Sequence, residues 1–356
     1  MKIIRKRKFS TRFISRKRIN TSFALAHTFR NINAPFSPVH SVSFAHDSSS
    51  FISSSEEIIQ LWSTDGNLIR NFVGHTNTVK SVSFSSNGLN FISGSNDTLI
   101  KLWSIINSES IKTFSRRHSI LSVSFAPNGR LFISGEAGGL ITLWSIDDPE
   151  PIRTFSHGHD VMSVNFSPNG SSFISGSLGS SLIKLWSIDN PEPLIIFPRN
   201  DIVFSLKFSP DGSSFISSSF KGYIKLWSIN GSLIRNFTRE MQGRTGIFTS
   251  VSFAPDGLSF ISGSVDGLKL WSIDGSLLKR FTKRKIEAIS SVSFAPDGLS
   301  FISGSFDGSV ELWTNTSEVL RTSIIKSAKK EPKTERKDTN FRRLSRELFN
   351  HITEYL

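Results

Sequence analysis

The sequence contains no cysteine among its 356 residues, which excludes disulfide bonds and thiol chemistry. It also lacks a run of about 18 apolar residues, so we expect no transmembrane helix. The basic N-terminus has no apolar core of the kind that a secretory signal contains. These absences are typical of an intracellular protein, and they leave open whether its compartment is an organelle (mitochondrion or plastid), the nucleus or the cytoplasm.

Catalytic motifs are lacking as well. The chain has no G-x-S-x-G, no Gly-rich phosphate loop ending in Lys-Ser/Thr and no H-E-x-x-H. The only close histidine pair is His157 with His159, which one loop histidine and one structural histidine explain better than a metal site. We therefore predict that the protein is not an enzyme and has no cofactor, no metal site and no small-molecule substrate.

The net charge of +13 is unevenly distributed. Residues 1–34 contain ten Lys or Arg and no acidic residue, and residues 326–356 carry a net charge of +4. The segment between them has 23 basic and 24 acidic residues, for a net charge of −1. This segregation indicates a near-neutral folded body with cationic extensions.

What the sequence does contain is a repeat. Its seven tryptophans are spaced by 41, 41, 42, 41, 44 and 42 residues. Before each tryptophan lie two short segments of alternating apolar and polar residues, the pattern of β-strands, joined in most repeats by Pro-Asp-Gly or Pro-Asn-Gly turns. A third strand ends at the tryptophan and a fourth ends at a phenylalanine. Four short strands in each of seven repeats predict an all-β fold, a seven-bladed β-propeller.

The repeats resemble those of the WD-repeat family over about residues 35–325. In that family a Gly-His, a Ser, an Asp and the Trp form a hydrogen-bonded structural set, which the second repeat retains as Gly74, His75, Ser93, Asp97 and Trp103. Other repeats depart from it: Gly158-His159 is followed by Ser180 at the Asp position, and Trp-Ser or Trp-Thr replaces the Trp-Asp dipeptide. The resemblance implies a non-catalytic scaffold for protein–protein interactions.

The seventh outer-strand phenylalanine is missing after Trp313. Residues 22–29, which end in Phe29, supply a candidate strand from the other end of the chain. We expect this strand to close the ring, and a strand over residues 318–323 is the alternative.

Basic residues gather on the face that carries the loops into each first strand. Solvated loop charge is the simpler explanation, and the sharper hypothesis is that this face binds an acidic peptide or an RNA backbone. The predicted partner-binding residues are Arg116, Arg117, Arg239, Arg244, Lys283, Arg284 and Lys285.

The extensions give the remaining predictions. The N-terminal arm, residues 1–21, would bind RNA or another polyanion through Arg5, Lys6, Arg7, Lys8, Arg16, Lys17 and Arg18, or serve only as a nuclear or organellar targeting signal. A charged linker, 326–339, precedes an amphipathic helix over 340–356, which would dock on the propeller or on a partner protein through Phe341, Leu344, Leu348 and Ile352.

These features together predict a basic arm at 1–21, a closing strand and linker at 22–34, the propeller at 35–325, and then the charged linker and helix. The leading hypothesis is a scaffold within a multi-subunit, RNA-containing assembly. The alternative is a protein–protein adaptor whose basic N-terminus is only a targeting signal.

Overall fold

The computed structural model describes residues 21–31, 36–179, 182–198, 201–237, 248–281 and 288–316. These residues form seven four-stranded antiparallel sheets, the blades of a β-propeller. The predicted all-β, seven-bladed fold is therefore confirmed. The N-terminal arm and the C-terminal helix lie outside the described residues.

The first four blades follow each other along the chain. Blade 1 contains β2 (Val39–Phe44), β3 (Ser50–Ser55), β4 (Ile58–Ser63) and β5 (Leu68–Phe72). Blade 2 contains β6 (Val79–Phe84), β7 (Asn90–Ser95), β8 (Leu99–Ser104) and β9 (Ser110–Ser115). Blade 3 contains β10 (Ile120–Phe125), β11 (Leu131–Glu136), β12 (Leu140–Ser145) and β13 (Pro151–Ser156). Blade 4 contains β14 (Val161–Phe166), β15 (Ser172–Ser177), β16 (Leu182–Ser187) and β17 (Pro193–Pro198).

Blades 5 and 6 are also continuous along the chain, whereas blade 7 combines strands from both ends of the described residues. Blade 5 contains β18 (Val203–Phe208), β19 (Ser214–Ser219), β20 (Ile224–Ser228) and β21 (Leu233–Asn236). Blade 6 contains β22 (Phe248–Phe253), β23 (Ser259–Ser264), β24 (Gly267–Ser272) and β25 (Leu277–Phe281). Blade 7 contains β26 (Ile289–Phe294), β27 (Ser300–Ser305), β28 (Ser309–Asn315) and, as its outer strand, β1 (Phe23–Arg30).

The N-terminal strand β1 closes the ring by pairing antiparallel with β28. Its Phe29 is buried in the cluster between blades 7 and 1, where its ring lies 5.0 Å from Phe51 and 5.2 Å from Trp62. Phe72 packs on Phe91 and Trp103 of blade 2 in the same way. Phe29 thus occupies the seventh position of the outer-strand phenylalanine series.

The core lies between blades rather than within them. Between blades 2 and 3, for example, Ile92 and Phe114 pack against Ile120, Phe132 and Trp144. Seven such buried clusters follow one another around the ring, one for each pair of neighbouring blades. Because every blade faces the same packing requirement, near-identical sequences can satisfy it repeatedly. Residues 250–264 can therefore recur without change at 291–305.

The turns within the blades depend on local side-chain bonds. In the turn Pro210-Asp211-Gly212, the Asp211 carboxylate accepts bonds from the Ser209 hydroxyl at 2.6 Å and from the Ser213 N–H at 3.1 Å. Gly212 has φ of +71°, a conformation that other residues rarely adopt. The Pro-Asp-Gly sequence therefore fixes the hairpin between β18 and β19.

Candidate binding surface at the channel mouth

A channel runs through the ring and is lined by the first strand of each blade. In all seven blades the pairing of the first and second strands shifts by one residue at the second position of the first strand. Such a bulge redirects a side chain that regular alternation would place on the other face. It adds an upper layer of channel-lining residues at the end where the first strands begin: His40, Lys80, Leu121, Met162, Phe204, Thr249 and Ser290.

The upper layer is asymmetric. It is polar in blades 1, 2, 6 and 7, but Leu121, Met162 and Phe204 make it apolar in blades 3 to 5. In blades 4 and 5, the turns that follow the second strands expose three further apolar side chains at the same end of the channel. Leu178 is 37% exposed, Phe220 46% and Tyr223 39%. The Phe204 and Phe220 rings lie 6.2 Å apart and join the channel lining to the turn.

We call these six residues the apolar arc. Scattered exposed apolar residues are common on protein surfaces, whereas adjoining ones around a concave opening mark binding sites. Sequence reasoning missed the arc because it considered only charge on this face. The bulge position and the turn residue after each second strand are the signals that could have identified it.

The structural set of blade 2 is a buried hydrogen-bond network. His75 Nδ1 lies 2.7 Å from Asp97 Oδ2, and His75 Nε2 lies 2.7 Å from Ser93 Oγ. The Trp103 indole N–H donates to the same Ser93 oxygen at 2.8 Å. Burial alone would raise the pKa of Asp97, but bonds from the Thr76 N–H and from His75 hold it below its ordinary value. Burial lowers the pKa of His75, so the pair carries a single charge on Asp97 at neutral pH.

The tryptophan–serine part of this network occurs in every blade. Each indole N–H donates to the hydroxyl of a serine on the second strand of its own blade, over distances of 2.8 to 3.3 Å. The histidine and aspartate vary between repeats, whereas this bond does not. The four blade-2 residues therefore have a structural role, remote from the channel lining.

In blade 4 the histidine that packs near the tryptophan is His157, and not the His159 that the Gly-His pattern indicated. The His157 ring is buried and lies 6.4 Å from Trp186, whereas His159 is exposed. Within the described part of the chain, neither ring nitrogen of His157 has a hydrogen-bond partner. Burial, followed by the nearby positive charge of Lys184, lowers its pKa to about 4. The ring is neutral at pH 7.

The two described members of the predicted basic face differ. Arg116 donates to the buried Glu136 carboxylate at 2.7 Å and lies over the Trp144 ring, so its charge is balanced within blade 3. Arg117 is exposed on the loop. The rest of this set, Arg239, Arg244, Lys283, Arg284 and Lys285, lies outside the described residues, as do the arm residues and Phe341, Leu344, Leu348 and Ile352. All of these remain predictions.

Two further structural findings bear on possible functions. Across the residues with described positions, no three His, Cys, Asp or Glu side chains are grouped so as to hold a metal ion. No helix in this part of the chain is long and apolar enough to cross a membrane.

The fold and its repeated Trp–Ser pairs define a propeller built from sequence repeats, and comparison with known families agrees. Six segments match the family described as WD domain, G-beta repeat: 66–104, 108–145, 149–187, 191–228, 235–272 and 275–314. They cover more than half of the chain, which therefore belongs to the WD-repeat family. The segments begin near the outer strand of one blade and end at the tryptophan strand of the next. No curated protein matches the sequence.

Proposed function

We propose that this protein is a non-catalytic scaffold that binds another protein at the channel mouth, within a larger assembly. WD-repeat propellers generally act as scaffolds for protein interactions, and the chain belongs to this family. The observation that supports the site is the apolar arc, in which Phe220 is 46% exposed and in contact with the channel residue Phe204. The exposed Arg117 and Lys221 lie at the same end of the propeller and add positive charge to this face.

The arc suits a partner that presents an apolar side chain next to acidic ones. Aromatic residues often dominate the binding energy of protein interfaces because they bury a large area with few rotatable bonds. Polar surroundings exclude competing apolar ligands and orient the partner. An acidic peptide with an aromatic or aliphatic anchor meets both conditions.

Affinity capture with the full chain tests this proposal. We compare the wild type with Phe220→Ser and Tyr223→Ser, and we use Leu194→Ser as the matched control because Leu194 is 55% exposed on the outer strand β17. We expect the captured partner to be lost with the two arc variants and retained with the control. Capture of the same proteins by all four chains would contradict the proposed site.

We propose further that the basic N-terminal arm contacts an RNA backbone. Only the charge of the segment supports this, because residues 1–34 contain ten basic and no acidic residues. The test titrates RNA binding against salt for the full chain and for a full chain with Arg5, Lys6, Arg7, Lys8, Arg16, Lys17 and Arg18 replaced by Gln. Loss of affinity and of the negative log–log salt slope supports phosphate contacts. Equal binding by both chains, or none by the wild type at low salt, rejects them and favours a targeting role.

A further inference from the structure

Below the upper layer, the channel wall contains a ring of seven serines, one from each first strand. Each serine oxygen accepts a hydrogen bond from a backbone N–H of the next blade, over 3.0 to 3.4 Å. Because the oxygen serves as acceptor, the hydroxyl hydrogen is left to donate. None of the seven hydroxyls donates to another described residue. The ring consists of Ser41, Ser81, Ser122, Ser163, Ser205, Ser250 and Ser291.

Two residues further along each first strand lies a lower layer of seven residues, of which Lys207 is the one cation. Five of its members accept a bond from the backbone N–H of the phenylalanine in the next blade: Ser43, Ser83, Ser124, Asn165 and Ser252. In blade 5 the equivalent residue is Lys207, whose ammonium group can donate but cannot accept. Lys207 therefore cannot accept a hydrogen bond from the Phe253 N–H, and its side chain adds a positive charge to the channel lining.

Lys207 has no acidic neighbour in the channel. None of the described residues that line the cavity, which has a volume of about 300 Å³, is Asp or Glu. The upper layer adds Lys80 and His40 to the same cavity. Lys207 is exposed to the channel space, and desolvation by the surrounding walls lowers its pKa while no described carboxylate of the lining supplies a counter-charge. A bound anion would supply that counter-charge.

We propose that the channel binds a tetrahedral oxyanion, such as phosphate or sulfate, between the ammonium group of Lys207 and the hydroxyls of the serine ring. The ring supplies donors on all sides of the axis, and an ammonium–oxyanion bond is among the stronger hydrogen bonds in proteins. The cavity is large enough for a free oxyanion or for a phosphoryl group at the end of a larger molecule. Lys80, higher in the channel, contributes long-range attraction.

The test is phosphate-dependent thermal stabilisation of the full chain, measured against chloride at matched ionic strength. A ligand that binds only the folded state raises the midpoint of unfolding, and above its Kd the increase grows with the logarithm of the ligand concentration. We compare the wild type with Lys207→Ser and with Arg130→Ser, a control that removes one exposed positive charge from the turn between β10 and β11. All three chains keep the basic arms, so that any phosphate bound by the arms cancels in the comparison.

We expect phosphate to stabilise the wild type and the control, and at least about a tenfold weaker apparent affinity in Lys207→Ser, since a charge-assisted bond is worth about 1.5–3 kcal/mol. Lys207→Ser should fold, because serine occupies five of the seven positions of this layer, namely Ser43, Ser83, Ser124, Ser252 and Ser293. Equal stabilisation of all three chains, or none of the wild type, overturns the proposal.

The two sources of the oxyanion are separated by repeating the titration with phosphoserine. Saturation by inorganic phosphate alone identifies a free oxyanion, whereas stronger binding of the ester with the same dependence on Lys207 identifies a terminal phosphoryl group. Phe220→Ser should leave either result unchanged, so that the anion site and the protein-binding surface can fail independently.

Discussion

The hydroxyl oxygen of Ser291 accepts a hydrogen bond from the backbone N–H of Val42 at 3.1 Å, joining residues 249 positions apart in the sequence. This bond is the last of the seven around the channel, and it connects blade 7 to blade 1. At the outer radius, Phe29 of β1 packs between the same two blades. The propeller is therefore closed twice, by a polar ring inside and by an aromatic cluster outside.

Removal of the outer closure should strongly destabilise the protein. Phe29 is 3% exposed, and its truncation to alanine leaves a cavity between Phe51 and Trp62. We expect Phe29→Ala to lower the free energy of unfolding by about 3–5 kcal/mol in urea titrations. Leu25→Ala, on the same strand but 47% exposed, should change it by less than about 0.5 kcal/mol. A similar decrease in the free energy of unfolding for both variants would contradict the claim that the packing of Phe29 closes the ring.

Loss of the shared serine in blade 2 should cost more than loss of its counterpart in blade 1. The Ser93 hydroxyl bonds to both Trp103 and His75, whereas among the described residues the Ser53 hydroxyl bonds to Trp62 alone. We expect Ser93→Ala to reduce the free energy of unfolding by about 2–3 kcal/mol and Ser53→Ala by about 1 kcal/mol, since each buried polar group left unpaired adds to the loss. Chemical unfolding of both variants measures the difference. Equal losses would mean that the histidine contributes nothing to the network.

His157 should make stability fall as the pH is lowered from about 6.5 to about 4. Its pKa in the folded protein is about 4, against 6.5 for an unperturbed histidine. Between these values the unfolded chain binds a proton that the folded chain excludes, and protons therefore favour unfolding. Above pH 6.5 neither state is protonated at this residue and the effect vanishes. The loss approaches at most about 3 kcal/mol near pH 4.

Urea unfolding at several pH values between 7.5 and 4 measures this effect. His157→Phe should flatten the pH dependence relative to the wild type, and His159→Phe, at an exposed position, should leave it unchanged. His40, whose pKa desolvation and the charge of Lys80 lower to about 4, acts in the same direction in all three chains. If the free energy of unfolding of His157→Phe depends on pH as steeply as that of the wild type, protonation of His157 does not destabilise the folded protein.

Lys207→Ser should stabilise the protein in phosphate-free buffer. The serine can accept a bond from the Phe253 N–H, as Ser43, Ser83, Ser124 and Ser252 do from the equivalent phenylalanines, and the substitution removes a positive charge that the channel walls disfavour. We expect a gain of about 0.5–1.5 kcal/mol from the bond, measured by thermal and urea unfolding. Phosphate should reduce the difference, because the wild type binds the counter-ion more tightly than the variant does. Destabilisation by this substitution in phosphate-free buffer would show that the lysine contributes packing instead.

The repeat determined most of what could be predicted from the sequence. Tryptophan spacing and strand alternation predicted seven four-stranded blades, and the phenylalanine series predicted that the segment ending at Phe29 would supply an outer strand. The strand observed there is Phe23–Arg30. These features depend on periodicity, which a single sequence displays directly.

The site was harder to predict because it depends on departures from periodicity. The upper channel layer exists only because a bulge turns residues such as Phe204 inward, against the two-residue alternation of a regular strand. The ion pair between Arg116 and Glu136, at 2.7 Å, also does not follow from the repeat, because it joins a loop residue to the end of β11. The burial of His157 rather than His159 likewise depends on the path of the loop, which the Gly-His pattern does not specify.

The most direct test of the proposed scaffold function is site-specific photo-crosslinking from position 220 in the full chain, inside cells of the source organism. The same crosslinker at position 194, on the outer strand β17, serves as the control. We predict one discrete protein adduct from position 220 that is absent from position 194. No adduct at position 220, or the same adducts from both positions, would contradict a protein-binding surface at the channel mouth.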